Sequence, residues 1–134
     1  MAPERSLYQR IGGYDVIAAI IDDLFARLRS DPKFARYSTR SLDSHHRARQ
    51  LLVDQICALS GGPCIYIGRD MRTSHAGLGI TADEWEANLN HTIAALQKHG
   101  IGEAEQKEFV ALFAQYRGDI VESTVAAHGT AGGQ

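Results

Sequence analysis

The sequence has no apolar run approaching the roughly 18 residues that a membrane-spanning helix needs, so no membrane partner is expected. Its start, Met1-Ala2-Pro3-Glu4-Arg5, lacks the apolar stretch of a secretory signal, and the expected location is the cytoplasm. Cysteine is scarce. Cys57 and Cys64 form no CxxC pair and are too few for a disulfide framework, so in that compartment both are expected to be reduced thiols, able to pair under oxidation only if the loop brings them close. There is also no basic block: 14 Lys and Arg are scattered among 16 Asp and Glu, a net charge of −2 that gives no support to nucleic-acid binding. The one mild exception is His45-His46-Arg47-Ala48-Arg49. Internal repeats and a strand-like alternation are absent as well.

What is present is helix. A chain of 134 residues suits one domain over 1–134 and can bury a core without metals or cross-links. Ser6 is placed to cap a short helix ending at Gly12-Gly13. Ile17, Ile20, Ile21, Leu24, Phe25 and Leu28 mark one face of a long helix that stops at Ser30-Asp31, before Pro32. Pro32 suits the first turn of a short helix carrying Phe34 and Tyr37. After a connection over 38–42, Asp43 or Ser44 caps a helix through Leu51, Leu52, Val53, Ile56 and Leu59. Asp70 caps a further helix of about one and a half turns before Gly77 and Gly79. Thr81 and Glu84 form a capping box for a helix through Trp85, Leu89, Ile93 and Leu96, ending at His99-Gly100. A last helix from Glu103 carries Phe109, Leu112, Phe113, Tyr116, Ile120 and Val121. The tail over 123–134 is expected to be disordered. The class is all-α.

One segment does not suit a plain bundle, whose helices are joined by short loops. From Gly61 to Gly79 the chain has little regular pattern, yet it carries Ile65, Tyr66, Ile67, Met71 and Leu78. A long apolar loop must bury itself against something. Within it stands His75, followed by glycines. An imidazole there is either satisfied by a backbone carbonyl or serves as a metal ligand. Zinc is disfavoured, because no second ligand lies three or four residues away and the nearest carboxylate is Asp70. A single histidine facing an apolar slot is instead how haem iron is commonly held.

These residues carry a resemblance. Ser6-Leu7-Tyr8-Gln9-Arg10-Ile11-Gly12-Gly13 is similar to the opening of truncated haemoglobins. So is Gly61-Gly62-Pro63 followed by Tyr66, Gly68-Arg69, Met71 and His75-Ala76-Gly77-Leu78-Gly79-Ile80, with the spacing on to Trp85. The likeness covers a core over 6–122 and is greatest to group I. It implies a two-over-two helical sandwich around one haem b, with His75 bound to the iron. Tyr66, Met71, Leu78, Ile80 and Trp85 match positions that line the haem, each equally able to be ordinary core. Arg69 and Arg72 are candidates to pair with the haem propionates through charge-assisted hydrogen bonds.

On the distal side the family pattern breaks. Many group I members place a tyrosine over the iron, and here the matching residue is Phe25, which has no donor. The register of the facing helix stays open. One alignment sets Ala48 and Leu52 over the iron with Ile56 further in; a shift of one residue sets Arg47, Leu51 and Gln55 there. Helical periodicity favours the first. His46, Gln50 and Tyr37 are then the donors within reach, with Tyr37 preferred over Ser38 as the aromatic that packs on haem. His46, and less so His45, is a candidate sixth ligand.

The implied function is reversible binding of a diatomic gas (O2, also NO or CO) for oxygen binding and transport or for NO detoxification, with a reductase as a further partner. A peroxidase or NO dioxygenase is the catalytic alternative, the former needing a distal acid–base pair such as His46 with Arg47. A hexacoordinate redox or sensor haem protein and a cofactor-free helical interaction module complete the alternatives.

Overall fold

In the computed structural model, residues 5–37 and 42–122 are described, and the expected tail lies outside them. Seven α-helices follow in order: α1 (Leu7–Ile11), α2 (Tyr14–Ser30), α3 (Leu42–Leu59), α4 (Met71–His75), α5 (Ala82–Lys98), α6 (Glu103–Ala114) and α7 (Arg117–Ile120). A 3₁₀ helix over Pro32–Tyr37 separates α2 from α3. None of these helices is long and apolar enough to cross a membrane.

Local chemistry sets most of the boundaries. Ser6 accepts from the Gln9 amide while the Gln9 side chain accepts from the Ser6 amide, a reciprocal cap that starts α1. Thr81 and Glu84 make the same device at α5. Between α3 and the loop that follows, Gly62 allows a close approach. A Cβ there would come within 2.4 Å of the Tyr8 ring and 2.8 Å of the Cys57 carbonyl.

Two helix pairs are stacked: α2 packs on α3, α5 on α6, and α2 also on α5. Ile17, Ile20, Ile21 and Leu24 of α2 are buried against Val53 and Ile56 of α3, Leu96 of α5 and Phe109 of α6. At roughly 1.5–3 kcal/mol for each fully buried aliphatic side chain, this shared cluster is the main stabilising term. Arg10 ties α1 to α6, donating to Glu105 at 2.8 Å and to Glu108 at 2.6 and 2.7 Å.

Three expectations need correction. First, α3 begins at Leu42, so Asp43 and Ser44 lie inside its first turn rather than ahead of it. Second, the last helix is two helices. The Tyr116 amide donates to Phe113 rather than one residue further back, and Gly118, a poor helix former, follows the break. Val121 lies beyond the second piece. Third, Cys57 and Cys64 are bonded to each other, with Cα atoms 5.7 Å apart. The chain reverses after α3, where Gly61 adopts a φ of 97° and the Gly62 amide donates to the Cys57 carbonyl at 2.8 Å. That reversal brings residue 64 back beside residue 57, which no compartment argument foresees.

Candidate haem site

The stacked pairs do not close completely. Between them lies a mostly apolar cavity of about 440 Å³, a volume in the range of small-molecule and cofactor sites. Its floor and walls come from α2, the 3₁₀ helix, α3, α4, α5 and the break between α6 and α7.

His75 reaches the cavity from the last position of α4, which Asp70 caps by accepting from the Thr73 amide at 3.2 Å. Its Nδ1 lies 2.9 Å from the Met71 carbonyl oxygen. Ser74 Oγ lies at the same distance, and because a carbonyl can only accept, the Met71 contact suits the tautomer with its proton on Nδ1, the form that leaves Nε2 open to a metal. An imidazole fixed this way is prepared to bind a metal, and its carbonyl partner sets the ring's orientation. Among the described residues no cluster of three or more His, Cys, Asp or Glu is placed to hold a metal ion.

The cavity wall that includes His75 also gathers Tyr66, Met71, Leu78, Ile80 and Trp85, together with Phe25, Tyr37, Ala48, Leu51 and Leu52. Ile56 and Gln55 line it too, so residues from both registers considered for α3 reach the wall, while Arg47 is exposed and off it.

The polar groups are more restricted than the sequence suggests. The Tyr37 hydroxyl lies 3.1 Å from Glu84 Oε1 and also accepts from Arg36. Burial first, and then the Glu84 charge, push its pKa up to about 12. The Tyr66 hydroxyl donates to the Arg69 carbonyl, and burial followed by the Asp70 charge raises its pKa. Gln50 donates to Tyr14 at 2.8 Å on the surface. Gln55, buried, points its amide nitrogen at the Met71 sulfur at 3.4 Å.

Several expected residues stand elsewhere. Arg72 is exposed and paired with Asp119 at 2.8 Å, and neither it nor Arg69 is on the cavity wall. His46 is exposed and lines a surface depression with Asp22 and Arg49 that shares Phe25, Arg29 and His45 with the cavity; of the two adjacent histidines, His45 borders the cavity. Ser38 lies outside the described residues. Sequence reasoning missed Phe34, Asn88 and Tyr116 on the wall, and also Arg36 and Glu122 beside it. Of these, only the aromatic residues carried a signal, their spacing on apolar faces.

Residues 6–122 match the family model described as Bacterial-like globin. The chain belongs to the bacterial-like globin family. Its relatives include the group 1 truncated hemoglobin GlbN of Mycolicibacterium paratuberculosis, 26% identical over 119 residues, covering 89% of this chain and 86% of the relative. The group 1 truncated hemoglobin GlbN of a Nostoc species is 28% identical over 120 residues, covering 87% and 97%. In fold, the chain matches the crystal structure of a truncated hemoglobin from Tetrahymena pyriformis, a tyrosine-to-phenylalanine mutant in the Fe(III) form. The TM-score is 0.80 at 21% identity, covering 87% of this chain and 98% of the other. The two-over-two stack is therefore a truncated-haemoglobin fold, and a globin of this kind implies haem. The residues fit that group: a mostly apolar cavity of suitable size with the His75 imidazole at its wall, the ring's Nδ1 placed against the Met71 carbonyl.

Proposed function

We propose that this truncated haemoglobin holds haem b through His75 Nε2 and reversibly binds a diatomic gas on the opposite side of the cavity. The observation that carries this is the hydrogen bond from His75 Nδ1 to the Met71 carbonyl, which leaves the other ring nitrogen as a ligand. When bound, the haem supplies an iron with one position for gas. The protein's own residues do the rest. Tyr66, Met71, Leu78, Ile80 and Trp85 exclude water around the His75 side. Phe25, Ala48 and Leu52 give the wall an apolar stretch without a donor, and of its polar neighbours Tyr37 is held by Glu84 and Arg36 and Gln55 turns to Met71, which leaves His45.

That surface favours gases that gain little from a hydrogen bond, NO and CO, over O2. It suits oxygen binding with rapid release, or NO scavenging. The peroxidase alternative is weakened, because His46 and Arg47 are exposed rather than on the cavity wall. A sixth protein ligand, if one forms, falls to His45.

Exposure of the reduced protein to CO and then to O2, with the gas removed between steps, tests the reading. Reversible, stoichiometric changes in the visible spectrum are expected. A reduced protein whose spectrum ignores both gases would overturn it.

A further inference from the structure

The residues immediately after His75 bring Leu78 and Ile80 to the cavity wall on a glycine-rich path that side chains from other elements hold. Gly77 and Gly79 have φ of 82° and 66°, and a Cβ at either would meet nothing within 4 Å. Both glycines therefore serve the backbone path rather than tight packing. Such a segment carries high conformational entropy unless something holds it. Helix α4 gives it little support: at five residues it is far below the length at which a helix is stable alone.

Two side chains grip this loop from opposite directions. Glu122 Oε2 accepts from the Gly77 amide at 3.0 Å and Oε1 from the Gly79 amide at 2.7 Å. The Glu122 amide also donates to the Ile80 carbonyl at 2.9 Å. On the carbonyl side, Arg36 Nη2 donates to Leu78 at 3.2 Å and Gly79 at 3.0 Å, with its guanidinium anchored on Glu84 at 2.8 Å. The loop's amides thus face a carboxylate and its carbonyls a guanidinium. Both contacts are charge-assisted and roughly twice as strong as neutral ones. The Gly77 and then the Gly79 amide hold the Glu122 carboxyl below the usual carboxylate range, in keeping with that geometry. Helix α7, packed on α4 and joined to it by Arg72–Asp119, delivers Glu122 to the loop.

We propose that Glu122 is a positioning residue for His75: with Arg36 on the other side, its carboxylate fixes the Gly77–Gly79 loop and so the direction of the imidazole. This rests on the reading of His75 as the iron ligand. It assigns to the last described residue of the chain, 47 positions from the histidine, control over how the His75 imidazole is presented.

The test uses the protein as purified, comparing wild type with Glu122→Gln, Glu122→Asp and, as a surface control, Glu103→Gln. Three signals are read: amide exchange at Gly77 and Gly79, the His75 ring nitrogens by NMR, and, in the haem-loaded reduced protein, the iron–histidine stretching band. Glu122→Gln, which sets an amide group against one of the two N–H donors, is expected to speed exchange at Gly77 and Gly79 by about tenfold or more, the scale of one charge-assisted hydrogen bond. It is expected to move the His75 ring signals and the stretching band as well. Glu122→Asp should recover part of each change, and Glu103→Gln should change none. Unaltered exchange at the two glycines would overturn the proposal, and so would faster exchange with His75 signals that stay in place. A purified protein that never takes up haem would instead sink the reading of His75 as iron ligand, while the exchange and ring signals would still decide whether Glu122 orients the imidazole.

Discussion

The hydroxyl of Tyr37 lies 3.1 Å from the carboxylate of Glu84, joining the 3₁₀ helix to the first turn of α5 at the edge of the cavity. Glu84 is buried, and it also caps α5 and receives Arg36. Ionising Tyr37 would place a second negative charge beside the first. The pair therefore favours the neutral phenol in the folded protein.

Tyr37 is expected to titrate near pH 12 rather than near 10. Because its folded pKa is the higher one, its contribution to stability is full below pH 10 and is lost as pH rises from 10 through 12. Difference titration of the phenolate absorbance between wild type and Tyr37→Phe measures this directly. Glu84→Gln, which removes the charge, should bring the titration of Tyr37 down. A Tyr37 that titrates near 10 in the wild type would show that Glu84 does not act on it.

Phe25 lines the cavity and has no donor to offer a gas ligand. Phe25→Tyr is expected to slow O2 dissociation by about tenfold, the worth of one hydrogen bond in a site that excludes water. Stopped-flow O2 displacement by CO gives the rate. CO dissociation should change far less, since CO gains little from a donor.

The Cys57–Cys64 bond closes a short loop, the two residues lying 7 positions apart. In the chain-entropy account a bridge of that span contributes about 2–3 kcal/mol. Cys64→Ser, or reduction by a thiol, is expected to lower the urea unfolding free energy by that amount. Cys57→Ser should cost more, because Cys57 is fully buried and a hydroxyl would take its place in the core. Equal stability before and after reduction would contradict a structural role for the bond.

Much of this fold was legible because the signals are local. The caps at Ser6 and Thr81, the apolar face from Ile17 to Leu28, and the stop before Pro32 each need only a few neighbouring residues. The unusual stretch from Gly61 to Gly79 was equally visible, and with it His75, although Ile65 and Ile67 stand exposed against the expectation that the apolar loop buries itself. What escaped was set by tertiary placement. Adjacent helical residues differ by about 100° around the axis, so an uncertain start to α3 leaves open which of His45 and His46 turns inward. His45 borders the cavity. Arg36 and Glu122 meet partners more than 40 positions away, and nothing in their own surroundings marks them. The bond between Cys57 and Cys64 depends on a chain reversal at Gly61-Gly62 that composition does not encode.

The central claim is that His75 Nε2 is the ligand that holds haem iron in this protein. Optical spectra of purified wild type and His75→Ala, ferric and dithionite-reduced, with and without added imidazole, test it most directly. A haem spectrum is expected in the wild type, with its loss or a change of ligation in His75→Ala, and recovery when imidazole fills the space left by the side chain. A His75→Ala spectrum identical to that of the wild type, or no haem band in the wild type even after hemin is added, would contradict it.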